Sequence, residues 1–227
     1  MIIEPIAYFR SPLRSKFGVP RQSGLAKSLE GEIIMTRKYS DDEALRGLDG
    51  FDYIWLVWGF SANIGERKHP TVRPPRLGGN IRMGVFATRS PFRPNNLGLS
   101  AVKIEAISHG KITVSGADLM DNTPIFDIKP YLASSDSYPE AKGGFADENP
   151  WKNLEVVIPD QIARKLVDAK GETDYSALAA LRDILGQDPR PQYHSDPCRI
   201  YGLEFGNSDI RFQVKDDKLV VIDIKPL

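Results

Sequence analysis

Residues 97–132, LGLSAVKIEAISHGKITVSGADLMDNTPIFDIKPYL, set the architecture. They predict three strands, 97–107, 111–117 and 124–132, with turn residues between them and no room for a helix. Lys111-Ile112-Thr113-Val114 alternates polar and apolar residues, as does 123–129 in part, the mark of a strand with one buried face. Toward the N-terminus, further strands are predicted at 2–9, 31–37, 51–60 and 82–88. Within them, Tyr53-Ile54-Trp55-Leu56-Val57-Trp58 is apolar on both faces, as in a strand buried on both sides. One helix should interrupt the series, because Ser40-Asp41-Asp42-Glu43 has capping-box spacing and an acidic first turn. Seven strands with almost no helix between them predict a barrel or sandwich rather than a βαβ sheet. No Gly-x-Gly-x-x-Gly follows any of them, so the usual nucleotide signature is absent.

Past the strands the pattern changes. Residues 133–150, rich in Ser, Asp, Gly and Pro, are expected to form a linker. Helices are predicted at 160–169 and 174–185, the second with Thr173 as N-cap and Gly186 as its stop. A three-stranded meander should follow at 199–205, 210–215 and 218–224, with Asp216-Asp217 as a turn. The expected layout is mainly β and not Rossmann: a barrel-like domain over 1–132, the linker over 133–150, and a small α+β domain over 151–227.

Composition narrows the function classes. Of 227 residues 41% are apolar, enough for a true core, and 30 basic side chains cancel 30 acidic ones. A polyanionic partner must therefore be argued from local charge. Cys198 is the only cysteine, which excludes an internal disulfide, and His69, His109 and His194 form no ligand-spaced pair, so no metal site is expected. No basic segment followed by an apolar one opens the chain, and no run approaches the ~18 apolar residues of a membrane span. A cytoplasmic protein with no membrane contact is expected.

Three segments carry chemistry. From Arg67 to Ile104 there is no acidic residue, while Arg67, Lys68, Arg73, Arg76, Arg82, Arg89, Arg93 and Lys103 all fall inside. A solvated basic face is the plain explanation, yet these arginines sit among Pro and Gly, which fix loop shape. Arginine also outnumbers lysine six to two, and its planar fork suits phosphate, carboxylate and base stacking. An RNA- or nucleotide-facing loop is the better reading. The second segment, Gly116 to Pro124, ends a strand in a polar turn; it is either an Asx turn or a pair of carboxylates for ribose hydroxyls, an ammonium or a sulfonium. In the third, Gln187-Asp188-Pro189-Arg190-Pro191-Gln192-Tyr193, prolines stiffen a loop that holds an Asp, an Arg and a Tyr.

Together these segments resemble the TrmO (YaeB/TsaA-like) family. The resemblance rests on Phe17-Gly18-Val19-Pro20-Arg21-Gln22, on 72–80 (VRPPRLGGN), on 83–95 (MGVFATRSPFRPN), on Asp127-Ile128-Lys129-Pro130-Tyr131 and on Asp188-Pro189-Arg190-Pro191. It implies an S-adenosylmethionine-dependent methyltransferase that yields S-adenosylhomocysteine and acts on N6-threonylcarbamoyladenosine beside the anticodon of threonine tRNA. It also implies a homodimer with the cofactor near the subunit interface. By likeness the cofactor residues are Pro20, Arg21, Gln22, Ser61, Ala62, Arg89, Leu99, Asp118, Leu119, Met120, Asp121 and Asn122. The tRNA anticodon loop is assigned to Arg73, Arg76 and Arg93. Three positions depart from the family. Ser61-Ala62 stands where His-Gln is usual, Asn96 replaces a Pro, and Asn122 replaces a Gly, a change that asparagine's tolerance of left-handed backbone accommodates.

The acceptor N6 of such a substrate is a poor nucleophile and must lose a proton as it attacks. A carboxylate or phenol in reach would help by about 10²–10⁴-fold. Asp188 and Tyr193 are the catalytic candidates for that proton, with Arg190 holding the substrate's carboxylate or a phosphate. Two alternatives stand beside this reading: a non-catalytic barrel that binds S-adenosylmethionine or RNA, and a methyltransferase for another nucleoside.

Overall fold

The computed structural model describes residues 2–65, 69–191 and 196–227. Its twelve strands are β1 (Ala7–Arg10), β2 (Glu30–Met35), β3 (Tyr53–Gly59), β4 (Thr71–Val72), β5 (Met83–Gly84), β6 (Leu97–Ser108), β7 (Lys111–Ser115), β8 (Pro124–Pro130), β9 (Glu155–Val157), β10 (Tyr201–Phe205), β11 (Ser208–Lys215) and β12 (Lys218–Pro226). Six of them close an antiparallel barrel in the order β1-β2-β7-β6-β3-β8. Closure runs through Ala7↔Ile125 and Tyr8↔Pro124, where Pro124 sits at the first position of its strand, as a residue lacking an N–H must. Inward residues come from alternate positions: Ile33, Ile54, Leu56, Ile112, Val114 and Ile125 are each fully buried. Removing such a side chain from water is worth about 1.5–3 kcal/mol, so the alternation fixes the register of every strand.

The structure corrects several expectations. Within 82–88 only Met83–Gly84 is a strand, paired with β4 outside the barrel, and Val85–Ala87 is a 3₁₀ turn. The helix after Ser40 shrinks to a 3₁₀ turn over Asp42–Leu45; Asp41 makes no side-chain cap, and the Ser40 hydroxyl donates to the Arg37 carbonyl instead. Leu45 is its one buried residue, too little for an amphipathic helix to pack on. Strand β3 is buried on one face only: Ile54, Leu56 and Trp58 point inward, while Tyr53 on the other face is exposed. Residues 133–150 are not featureless, since they form α1 (Ala133–Asp136) and α2 (Phe145–Glu148). The Asp136 carboxylate accepts from Trp55 Nε1 at 2.9 Å and tethers this segment to the barrel.

In the C-terminal part, α3 covers only Asp160–Ala163, and α4 runs over Tyr175–Gly186. Asp174, not Thr173, is the N-cap, accepting from the Ala177 amide at 2.9 Å, and Gly186 is the last helical residue rather than the stop. The meander forms as β10-β11-β12, with Asp216 and Asp217 both at positive φ in the two-residue turn, but β9 adds a parallel fourth strand beside β12.

The loop between β1 and β2, residues 11–29, shapes the site. Although it belongs to the barrel by sequence, its Leu13, Ala26 and Leu29 are buried among Leu181, Leu203 and Phe212 of the C-terminal core. Phe17 stacks on Phe212 with ring centres 6.4 Å apart, and backbone bonds join Pro12 to Gly206 and Leu13 to Asp121. The loop is thus clamped from both sides. Gly18 makes the close approach possible: its φ is +88°, and an added Cβ would lie 2.3 Å from Cδ1 of the fully buried Leu203. Gly18→Ala should combine left-handed strain with overpacking and destabilise the fold by about 2–4 kcal/mol. Thermal melting would then drop by roughly 5–15 °C. An unchanged melting temperature would show that the loop is not held this way.

Candidate functional site

Residues 69–96 of the acid-free stretch form the loops between β3 and β6, with the short β4–β5 hairpin among them. The β4–β5 hairpin carries at its tip a 3₁₀ turn, Pro75–Leu77, followed by Gly78 and Gly79, both at positive φ. Pro74 and Pro75 preset the turn, and the two glycines let the chain reverse without side-chain clashes. These loops form one wall of a cavity of about 1000 Å³, to which they contribute Arg73, Arg76 and Arg89. Arg21 and Gln22 from the clamped 11–29 loop also line it, as do Phe145, Ala146 and Trp151 from the connector.

Charge is concentrated here. The Arg21 guanidinium carbon lies 3.9 Å from the centre of the Trp151 ring, and that of Arg76 lies 4.9 Å from it. Like charges this close repel, and the indole offsets part of the cost through its π face. Burial, chiefly, pulls the Arg21 pKa below its ordinary value; Asp188 opposes the shift and Arg76 adds to it. Arg21 stays charged nonetheless, since a guanidinium does not lose its proton in proteins. It donates to the Asp188 carbonyl at 2.8 Å, and Arg76 donates to the Ala146 carbonyl at 3.2 Å. The result is two fixed guanidinium planes against one aromatic ring, a seat for an anion attached to a flat group.

At the other end Arg89 donates to Gln22 Oε1 at 3.2 Å and acts electrostatically on Asp118. Burial raises the Asp118 pKa, while hydrogen bonds from Ser100 and from backbone amides, together with Arg89, oppose the rise. Arg89 therefore links the basic loops to the acidic turn. The rest of that turn is mostly structural. Leu119 is fully buried in the barrel core, Asp121 accepts from the Ser11 amide, and the Met120 carbonyl accepts from Thr123. Asn122 has φ +59° and Asn96 φ +52°, so asparagine takes the left-handed backbone at both departures from the family pattern.

The other candidates among the described residues, the 118–122 turn included, lie outside the cavity lining. Pro20 is buried, whereas Leu99 and the Ser61-Ala62 turn lie outside the cavity lining, with Leu99 60% exposed. Arg93 donates to the carbonyls of Val85 and Thr88, bracing the turn that carries Arg89. Asp188, at φ +51°, gives both carboxylate oxygens to Arg190 at 2.7 and 2.8 Å. Tyr193 lies outside the described residues. Trp151 was not singled out in the sequence; the available signal was an aromatic residue closing a Gly- and Pro-rich connector.

Among the described residues no helix is long and apolar enough to cross a membrane, and no three His, Cys, Asp or Glu side chains cluster as metal ligands would. A closed antiparallel barrel bearing a cationic cavity with an aromatic wall defines a non-Rossmann protein for flat, anionic ligands. The chain belongs to the tRNA-methyltransferase O family: the family's N-terminal domain matches residues 8–137 and its C-terminal domain residues 151–227. It is 39% identical, over 98% of this chain and 97% of the other, to the tRNA (adenine(37)-N6)-methyltransferase of Escherichia coli. A Pseudomonas aeruginosa protein, named provisionally as an S-adenosylmethionine-dependent methyltransferase, is 37% identical over 98% of this chain and 96% of its own. A crystal structure of TrmO superposes with a TM-score of 0.82 at 30% identity, over 99% of this chain and 98% of that one.

A cation–π contact is worth about 0.5–2 kcal/mol. Trp151→Ala should therefore weaken binding of a fluorescent anticodon stem-loop RNA by roughly 2–30-fold while the melting curve stays two-state. Anisotropy titration checks this, and native affinity in the variant would remove Trp151 from the site.

Proposed function

We propose that this protein transfers a methyl group from S-adenosylmethionine to N6 of adenosine 37 in tRNA, and that the adenosine it accepts already carries a threonylcarbamoyl group, in threonine tRNA. The family and its named relatives support the reaction class. The threonylcarbamoyl requirement is what the resemblance implies, and one observation supports it here: Arg21 and Arg76 are held together on the Trp151 ring. A bare adenine would need a stacking face and hydrogen-bonding groups. An adenine with a carboxylate attached would need cations beside that face.

The residues present suit an adenosyl ligand bearing an amino acid. Arg89 would meet its carboxylate, Asp118 a cationic centre, and the Gln22 amide its polar edge. Bound S-adenosylmethionine supplies an electrophilic methyl group on a sulfonium. The chain's contribution is placement and dryness. Arg21, desolvated and anchored to the Asp188 carbonyl, would hold the acceptor's carboxylate, and Trp151 would limit movement of its base. Ordering of this kind can be worth roughly 7–11 kcal/mol when the reacting atoms are brought to ~3–3.5 Å.

Both carboxylate oxygens of Asp188 accept from Arg190 in this structure, so the side chain is engaged in an ion pair. We therefore assign Asp188 to positioning, through the carbonyl that binds Arg21 and through the loop that Arg190 stiffens, and keep Tyr193 as the candidate base. The homodimer, with Leu99 and the Ser61-Ala62 turn close to its cofactor, is proposed from the resemblance to the family. A tRNA substrate also supports a cytoplasmic location.

Mass spectrometry of tRNA nucleosides from a strain lacking the gene tests the assignment. Methylated threonylcarbamoyladenosine should be missing and should return when this protein is expressed. With purified protein, tRNA bearing unmodified adenosine 37 should be methylated at least tenfold more slowly than tRNA bearing the threonylcarbamoyl group. Equal rates would overturn the substrate part alone. Asp188→Asn should lower turnover at least tenfold while affinity for S-adenosylmethionine stays near native; unchanged turnover would remove Asp188 from the mechanism.

A further inference from the structure

Asp118 is served from inside the barrel by a chain of hydrogen bonds whose direction is fixed. Trp58 on β3, 6% exposed, donates from Nε1 to Ser100 Oγ at 2.9 Å. Ser100 on β6, 1% exposed, lies 2.5 Å through Oγ from Asp118 Oδ1. An indole N–H can only donate, so it takes one acceptor position of the serine hydroxyl and leaves the hydroxyl proton free. The hydroxyl has one proton, and its remaining partner is the carboxylate. Ser100 must therefore donate to Asp118, and the bond stabilises the charged form of that side chain.

The sequence is arranged around this chain. Gly98 faces Trp58 across the β3–β6 pair, and a Cβ there would lie 2.3 Å from the indole Cε2. Only glycine gives the indole that space. Phe60, with its ring centre 4.4 Å from the Trp58 ring, packs edge-on against it. Ser100 is an inward-facing position of a barrel strand, where an apolar residue would be expected, and its hydroxyl is fully engaged.

We propose that Ser100, oriented by Trp58, is a positioning residue that holds the Asp118 carboxylate as a fixed counter-charge for a cationic centre of the bound cofactor. This rests on the assignment of Asp118 to the cofactor site made above. Two cationic centres share the chemistry, the sulfonium and the α-ammonium. The charged and polar groups that face Asp118 are the Arg89 guanidinium from the basic loops, the Ser100 hydroxyl from β6, and the amides of Ser23 and of Asp118 itself. Asp121, three residues on, is turned toward the Ser11 amide and Arg10. Burial raises the Asp118 pKa, so loss of the Ser100 proton would raise it further. The carboxylate would then be neutralised at a higher pH, and affinity for a cation would fall off at a higher pH with it.

The test uses the full chain labelled with ¹³C-carboxyl aspartate, the Asp118 resonance being the one lost in Asp118→Asn. In Ser100→Ala, without ligand, that resonance should titrate about one unit higher than in the native protein. Calorimetry should show the acid limb of the S-adenosylmethionine affinity profile moved up by the same unit, with binding up to about tenfold weaker within it. Ser100→Thr, which keeps the hydroxyl, should restore both, and Trp58→Phe should give a smaller upward shift. S-adenosylhomocysteine separates the two centres: it weakens in parallel if Asp118 faces the ammonium and is unaffected if Asp118 faces the sulfonium. Ser100→Cys replaces the alanine variant if that one does not fold.

An unmoved Asp118 titration in Ser100→Ala overturns the proposal, as does a threonine variant as impaired as the alanine variant when both melt like the native protein. An unmoved titration in Trp58→Phe removes the indole from it. If Asp118→Asn binds S-adenosylmethionine with native affinity, the cofactor assignment fails, while the carboxyl titration still decides what Ser100 does.

Discussion

The burial of one barrel loop inside another domain's core is the constraint on which the site depends. Residues 11–29 place Leu13, Ala26 and Leu29 among the side chains of α4 and the C-terminal sheet. Phe17 completes that core by stacking on Phe212. Arg21 and Gln22 follow directly and inherit a fixed position. An exposed loop would hold an arginine loosely, with most of its rotamers still open. Here the apolar burial that orders the loop also supplies the ordering of the functional side chains, and the C-terminal unit adds Trp151 and the Asp188 carbonyl to the site directly.

The second theme is charge held where water is scarce. Arg21 is desolvated beside Arg76, and Asp118 is desolvated within reach of Arg89. Arg21 stays charged beside an indole face and a carbonyl, and at Asp118 a hydroxyl and two amides oppose the rise in pKa that burial causes. Electrostatic interactions strengthen as the effective dielectric falls, so groups kept charged in this setting act more strongly on a ligand than surface groups would. The protein as a whole is neutral, with 30 basic and 30 acidic side chains. Its binding power comes from segregation, not from net charge.

Several departures from expectation share a physical cause. The capping-box pattern at Ser40 gave a single 3₁₀ turn, because a cap supports a helix only when an apolar stripe follows to be buried. The 82–88 segment looked like a strand from its apolar residues, yet β3 takes β6 and β8 on its two edges, which leaves 82–88 no place in the barrel, and it forms only a two-residue pairing with β4. Asp188 looked like a base and is found in an ion pair, since a loop stiffened by Pro189 and Pro191 sets Arg190 directly against it. Local pattern shows what a residue offers. Partners from elsewhere in the chain decide how it is used.

The sequence by itself determined the barrel strands, because period-two burial within a short segment leaves one workable register. It also determined the basic loops, since an acid-free run rich in Arg, Pro and Gly is visible without coordinates, and the family, through motifs such as GVFATRSPFRPN. Only the tertiary structure decided that 11–29 packs with the C-terminal core, that Trp151 receives Arg21 and Arg76, and that Ser100 serves Asp118. Those contacts join residues from opposite ends of the chain, as Phe17 with Phe212. No local preference encodes such a distance; it is set by which apolar surfaces the whole chain can bury at once.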